Sequence, residues 1–195
     1  MKKIKVVAIG LFLVTSFGCK EVKKEAKEAG EDVEAAVDEM KKEVKVETVK
    51  FTMEPKSDSK VQGDVTFTEE DGKVNMTANF SGLTPGEHAI HLHEKADCSA
   101  ADGSSAGGHW NPTNEPHGKW GAATGFHRGD IGNFTADADG NAMVEFSTDL
   151  WCLDCDDPVK NIRGKAVIVH QGLDDFTTQP SGNAGARVSC TGIIK

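Results

Sequence analysis

KVQGDVTFTEEDGKVNMTANF, residues 60–80, settles the class of this chain. Val65 and Phe67 alternate with polar residues before Asp71-Gly72, and Val74, Met76, Ala78 and Phe80 do so after it. Successive side chains of a strand point to opposite faces, so each half predicts a strand with one apolar face. Asp-Gly suits the positive φ angles of a tight two-residue turn, and the segment reads as a β-hairpin. Similar short runs lie on either side: VKFTM (49–53), HAIHLH (88–93), GNFTADADGNAMVEF (132–146), GKAVIVH (164–170) and ARVSCTGII (186–194). Asp139-Gly140 inside the third of these predicts a second hairpin turn. Many short strands with little helix predict an all-β antiparallel sandwich or barrel.

Six of the seven histidines fall between His88 and Asp130, and the seventh is His170. His91 and His93 are two apart on a predicted strand, so they share a face and can grip one metal ion. An H-x-H pair alone arises often by chance. The cluster weighs more, because buried imidazoles need partners and add little as core packing. His109 and His117 follow in a loop rich in Gly, Pro and Asn, and His127-x-x-Asp130 lets a carboxylate join imidazoles around a second ion. By parity His88 shares a face with Ile90 and Leu92, away from His91 and His93, and should not bind a metal directly.

The ordered set His91-x-His93, His109, His117, His127-x-x-Asp130, His170 in KAVIVHQGLDD, and Arg187 and Cys190 in GNAGARVSC resembles the copper/zinc superoxide dismutases over roughly residues 48–195. The resemblance implies a flattened, immunoglobulin-like Greek-key barrel with two long functional loops, 94–129 and 171–185. It implies copper on His91, His93, His109 and His170, and zinc on His109, His117, His127 and Asp130, with His109 bridging the two. The ligand types suit the metals. Copper that changes oxidation state wants imidazole nitrogens and an open position, whereas zinc accepts a closed shell of nitrogen and carboxylate. Further expectations carried by the resemblance are that Asp174 links His91 to His117, that His88 braces the copper region, and that Cys98 pairs with Cys190. Arg187 would draw in the superoxide anion, with Lys95 and Lys119 as weaker candidates, and His109 would release copper and carry a proton during turnover. The segment 176–180, FTTQP, lacks the charged residues that many eukaryotic relatives carry there. A second function from another class is a non-catalytic copper- and zinc-binding lipoprotein that buffers metal. Such a buffer has no need of a guiding arginine or a bridging residue.

Residues 1–18 have a basic start, an apolar run from Val6 to Val14 and small residues near their end, the pattern of an export signal. The run is shorter than the roughly 20 residues that span a bilayer. Cys19 resembles the lipid-modified first residue of a mature bacterial lipoprotein, although Ser16 and Phe17 depart from the usual cleavage pattern and leave simple cleavage near Gly18 as the alternative. Residues 19–47 are mostly Lys, Glu, Ala and Val, and predict a helical or disordered tether rather than a coiled coil. Residues 48–195 then make one domain. The expected location is the periplasmic face or the surface of a bacterial cell, held at the membrane. The formal net charge is −9, and loss of Lys2, Lys3 and Lys5 makes it more negative, which excludes nucleic acid as a partner. Superoxide, a membrane surface and a second copy of the chain are the expected partners.

Five cysteines in an exported chain point to disulfides, with Cys19 left for lipid. Cys152-x-x-Cys155 in DLWCLDCDDPVKN has no counterpart in the resemblance. A C-x-x-C pair can be a redox couple, half of a zinc site or a small-ring disulfide. No second such pair completes a zinc tetrahedron, and the neighbouring acids blunt thiol reactivity. A structural disulfide is the preferred reading over a metal-capturing or copper-transfer site.

Overall fold

The computed structural model describes residues 46–194, so the expected export signal, Cys19 and nearly all of the expected tether lie outside the described residues. Eight antiparallel strands, β1 (Glu47–Pro55), β2 (Gln62–Glu70), β3 (Lys73–Ser81), β4 (Gly86–His93), β5 (Gly132–Ala136), β6 (Ala142–Thr148), β7 (Ala166–His170) and β8 (Arg187–Gly192), run in the order β5-β4-β7-β8-β1-β2-β3-β6. One face is β1, β2, β3 and β6, and the other is β5, β4, β7 and β8. β1 joins them by pairing along β2 and then, at Glu54 and Pro55, with Cys190 and Ser189 of β8. Together they form a nearly closed barrel, the all-β architecture expected from the alternating runs, with the Greek-key topology that the resemblance implied.

The 60–80 hairpin shows how the sequence produces this. Glu70 pairs with Lys73, so Asp71 and Gly72 alone make the turn, with φ of 50° and 73°. The register sets Val65 opposite Ala78 and Phe67 opposite Met76, and all four are buried. Their faces meet Ile90, Leu92, Val167 and Val169 from the other sheet in one apolar core. Burial of each such side chain contributes about 1.5–3 kcal/mol.

The expectation of a second hairpin needs correction. Asp137 and Asn141 close a turn through a 2.8 Å backbone bond, but β5 pairs with β4 and β6 with β3, so the two strands part to opposite ends of the sheet order. Each strand is taken up by a partner from elsewhere in the chain, β5 by five residue pairs with β4 and β6 by seven with β3. Buried Leu83 donates its N–H to the Gly140 carbonyl at 3.1 Å, wedging the turn against the barrel's end.

Three long connections matter for the site. Residues 94–131 link β4 to β5 and contain a 3₁₀ turn at Ser104–Ala106, 149–165 link β6 to β7, and 171–186 link β7 to β8. A Cys98–Cys190 disulfide ties the first to β8, and a Cys152–Cys155 disulfide lies within the second. Closing the 92-residue separation of the former stabilises the fold by about 2–5 kcal/mol in the chain-entropy picture.

Candidate metal centre

β4 is buried on both sides from His88 to His93. Ile90 and Leu92 point into the core while His91 and His93 face the long loops. The loop returns along the strand: Trp110 N–H donates to the Leu92 carbonyl at 2.8 Å, and His109 is set beside His93 as a bridge partner. His170 arrives at the end of β7, where an irregularity shifts the register with β8 and sets it opposite Arg187.

Two buried quartets result. Ligand atoms of His91, His93, His109 and His170 all lie within 4.8 Å of one another, and so do those of His109, His117, His127 and Asp130. His109 belongs to both. Its ring centroid is 4.0 Å from that of His91 and 5.2 Å from that of His117.

The nitrogens left over show what the quartets are built to hold. His91 Nδ1, His109 Nε2, His117 Nδ1 and His127 Nδ1 are buried without a hydrogen-bond partner. Nδ1 of His117 and His127 lies 3.0 and 3.2 Å from Asp130 oxygens, but not in hydrogen-bonding geometry. His93 and His170 use Nδ1 to donate to the carbonyls of Gly107 and Gly185, at 3.0 and 3.3 Å, so their Nε2 lone pairs face each other 3.3 Å apart. One stranded polar atom costs about 1–3 kcal/mol. Several convergent imidazole lone pairs in two adjoining groups match a pair of cations, the first all nitrogen and the second nitrogen plus carboxylate.

The surroundings orient these rings. Asp174 accepts from His91 Nε2 at 2.9 Å and from His117 Nε2 at 2.8 Å, leaving each Nδ1 for metal. Asp130 accepts from His109 Nδ1 at 2.9 Å and from the backbone N–H groups of His127 and Gly118, at 2.8 and 3.1 Å. His88 stands on the core side of β4, stacked on Phe134, and spans from the His170 carbonyl to Thr84, whose carbonyl and hydroxyl both face Nε2. Arg187 donates to the carbonyls of Gly103 and Gly107, each at 2.7 Å. With His93, His109, His127, His170 and Pro180 it lines a cleft of about 440 Å³ over the quartets. Lys95 and Lys119 are exposed and do not line it.

Burial sets the protonation of His93, His109 and His170. It is the main cause that lowers His109 to about 4 and His170 to about 3, and that holds His93 well below the usual imidazole range. Burial opposes the charged form of His117 too, but the two carboxylates beside it, Asp130 3.0 Å from Nδ1 and Asp174 bonded to Nε2, overcome it and raise that ring to about 9. Both carboxylates lie well below their ordinary range despite burial, because they accept from these histidines.

Several supporting residues were not singled out by sequence reasoning. Asn133 exchanges two 2.8 Å bonds with the backbone of Asp174, and Gln179 clasps the His117 backbone N–H and carbonyl, each at 2.9 Å. Nothing in the sequence marks an amide side chain for such a role, since its partner is set by the fold.

The chain matches the model of the copper/zinc superoxide dismutase (SODC) family over residues 61–194. It is 40% identical over 150 residues, 71% of this chain and 80% of the relative, to a copper-zinc superoxide dismutase of Caulobacter vibrioides. It is 33% identical over 142 residues, 71% of this chain and 82% of the relative, to copper-zinc superoxide dismutase 2 of Aquifex aeolicus. Among solved structures, a double mutant of a SOD-like protein from Bacillus subtilis aligns with a TM-score of 0.67 and 33% identity, covering 75% of this chain and 97% of that one.

Proposed function

As a member of the copper/zinc superoxide dismutase family, the chain converts superoxide to oxygen and hydrogen peroxide using copper and zinc, and we propose that its two quartets divide the work. Copper belongs to His91, His93, His109 and His170, and zinc to His109, His117, His127 and Asp130. When bound, copper supplies the one-electron chemistry and zinc a fixed charge that needs no redox change.

The observation that carries this division is the sharing of His109. Nδ1 is engaged on the Asp130 side and Nε2 is stranded toward the other quartet, so one ring can serve both ions as an imidazolate. During turnover His109 Nε2 is the atom placed to hold a proton next to bound substrate. Arg187, fixed by two carbonyls at the cleft, attracts the anion against the negative charge of the whole protein. Metal buffering alone would use neither feature. Metal analysis and a superoxide assay on one purified sample test the reading. Removing copper while zinc stays bound should abolish dismutation, and copper alone should restore it; activity that persists without copper sinks the assignment.

The chain's location follows from its first residues. We infer export and anchoring by lipid on Cys19, on the strength of the basic start, the short apolar run and the cysteine that ends it. The protein should fractionate with membranes and Cys19→Ser should release it; soluble wild-type protein would refute the anchor. Pairing into a homodimer rests on the family resemblance alone, and a monomer in sedimentation would remove it.

A further inference from the structure

The tight turn that carries two of the second quartet's ligands, His127 and Asp130, is closed by its own hydrogen bonds and fastened to the barrel. Asp130 N–H donates to the His127 carbonyl at 3.1 Å, and His127 N–H returns to Asp130 Oδ2 at 2.8 Å. Gly129 is knitted to the barrel, donating to the Trp110 carbonyl at 3.0 Å and accepting from Leu92 N–H at 2.9 Å. A Cβ at Gly129 would run into the Leu92 carbonyl, so the turn lies directly against the strand that bears His91 and His93. The Arg128 carbonyl, at the centre of the turn, remains. Its donor is the indole Nε1 of Trp151, at 2.8 Å, from the unrelated 149–165 connection.

Trp151 is held rigidly enough to act as a fixed point. It is 1% exposed, and its ring packs on Phe67, Trp120 and Phe146. The backbone beyond it is fastened at every step: Cys152 N–H to the Lys160 carbonyl, Ile162 N–H to the Cys152 carbonyl, Leu153 N–H to Glu69 Oε2, and Arg163 Nε to the Leu153 carbonyl. Packing alone explains an aromatic ring here. It does not explain an indole whose N–H meets the carbonyl between the two ligands.

We propose that Trp151 is a positioning residue for zinc, holding the His127–Asp130 turn at the separation from His109 and His117 that the metal requires. The proposal rests on the assignment of zinc to that quartet. Without the indole N–H, the part-buried Arg128 carbonyl must seek another donor, and the peptide rotation that does so displaces His127 and Asp130 on either side. His109 and His117 sit on other stretches of the loop and do not follow. Metal affinity therefore suffers before the fold does.

Trp151→Phe keeps an aromatic ring in the pocket and removes the N–H. In full-length protein with copper in place, zinc affinity measured by competition with a chromophoric chelator should fall by about tenfold, the lower end of what losing an outer-shell partner costs. The absorption spectrum of cobalt(II) bound in the same quartet should change as well. Phe146→Leu, which loosens the same aromatic cluster without touching the N–H, should lower the thermal midpoint yet hold zinc within about twofold of wild type by the same arithmetic. Equal zinc affinity in Trp151→Phe and wild type, or an equal loss in Phe146→Leu, overturns the proposal. Asp130→Ala separates the two readings: if it fails to weaken zinc, the quartet assignment falls and the role of Trp151 falls with it. Should Trp151→Phe not fold, wild-type protein answers by nuclear magnetic resonance. The Trp151 indole N–H should exchange slowly and shift when zinc is added, and a signal that ignores zinc overturns the idea.

Discussion

Asp174 accepts from one histidine of each quartet and so fixes which nitrogen each turns toward a metal. Space for it depends on a single glycine. Gly182 has φ of 67°, and a Cβ there would overlap the Asp174 carboxylate, so any side chain at this position would push the carboxylate off both rings. Arg187 works by similar economy. One of its two carbonyl partners, that of Gly107, also receives His93 Nδ1, which ties the guanidinium to a ring of the first quartet through one oxygen. In a chain of net charge −9, a cation at the cleft must reverse the field locally. Arg187→Glu should lower kcat/KM by about tenfold or more at low salt. It should also invert the salt response, since salt screens attraction in the wild type and repulsion in the variant. Pulse radiolysis across ionic strength reads both, and an unaltered rate at low salt would place the steering field elsewhere.

At the scale of elements, what could be read in the sequence tracks how local its cause is. The 60–80 hairpin was legible because alternation and Asp71-Gly72 are properties of neighbouring residues. β4 was legible twice over, since parity sorts Ile90 and Leu92 from His91 and His93 without knowledge of the fold. The parting of β5 and β6 was not, because their partners, β4 and β3, come from other parts of the chain. The candidate site shows the same division. Imidazoles and carboxylates announce themselves by type and spacing, and the quartets bring together the seven residues, with His109 shared, that the resemblance assigned to two metals. Asn133, Gln179 and Trp151 act through backbone carbonyls and N–H groups, which every residue carries and no motif records. The Cys152–Cys155 link lay between these cases. Spacing and compartment favoured a disulfide, but only the fold shows it beside the tryptophan that meets the turn of residues 127–130.

For the molecule as a whole, metal sites built from buried histidines make stability depend on pH in two opposed ways. In the metal-free protein, His109 at about 4 and His170 at about 3 stay neutral where an unfolded imidazole, near 6.5, takes up protons. The unfolded state therefore binds more protons below about 6.5, and stability falls as the pH drops toward 4. His117, raised to about 9, does the reverse. Its contribution is fully present below about 6.5 and is lost as pH rises through about 9. Chelator-treated protein should thus show its highest thermal midpoint near pH 6.5. Zinc should remove the alkaline decline, because the metal takes the place of the His117 proton. A midpoint that climbs steadily from about pH 5 to about pH 9 without metal would contradict this balance.

The central claim is that turnover belongs to the quartet of His91, His93, His109 and His170 while the other quartet supports it. His170 tests this most directly, since it belongs to the first quartet and not to the second. The measurement is dismutation by His170→Ala, made on the same sample used for circular dichroism and metal analysis. A folded variant that keeps zinc, loses copper and shows only background dismutation is the predicted result. Dismutation retained near the wild-type rate in a folded His170→Ala protein would contradict the account.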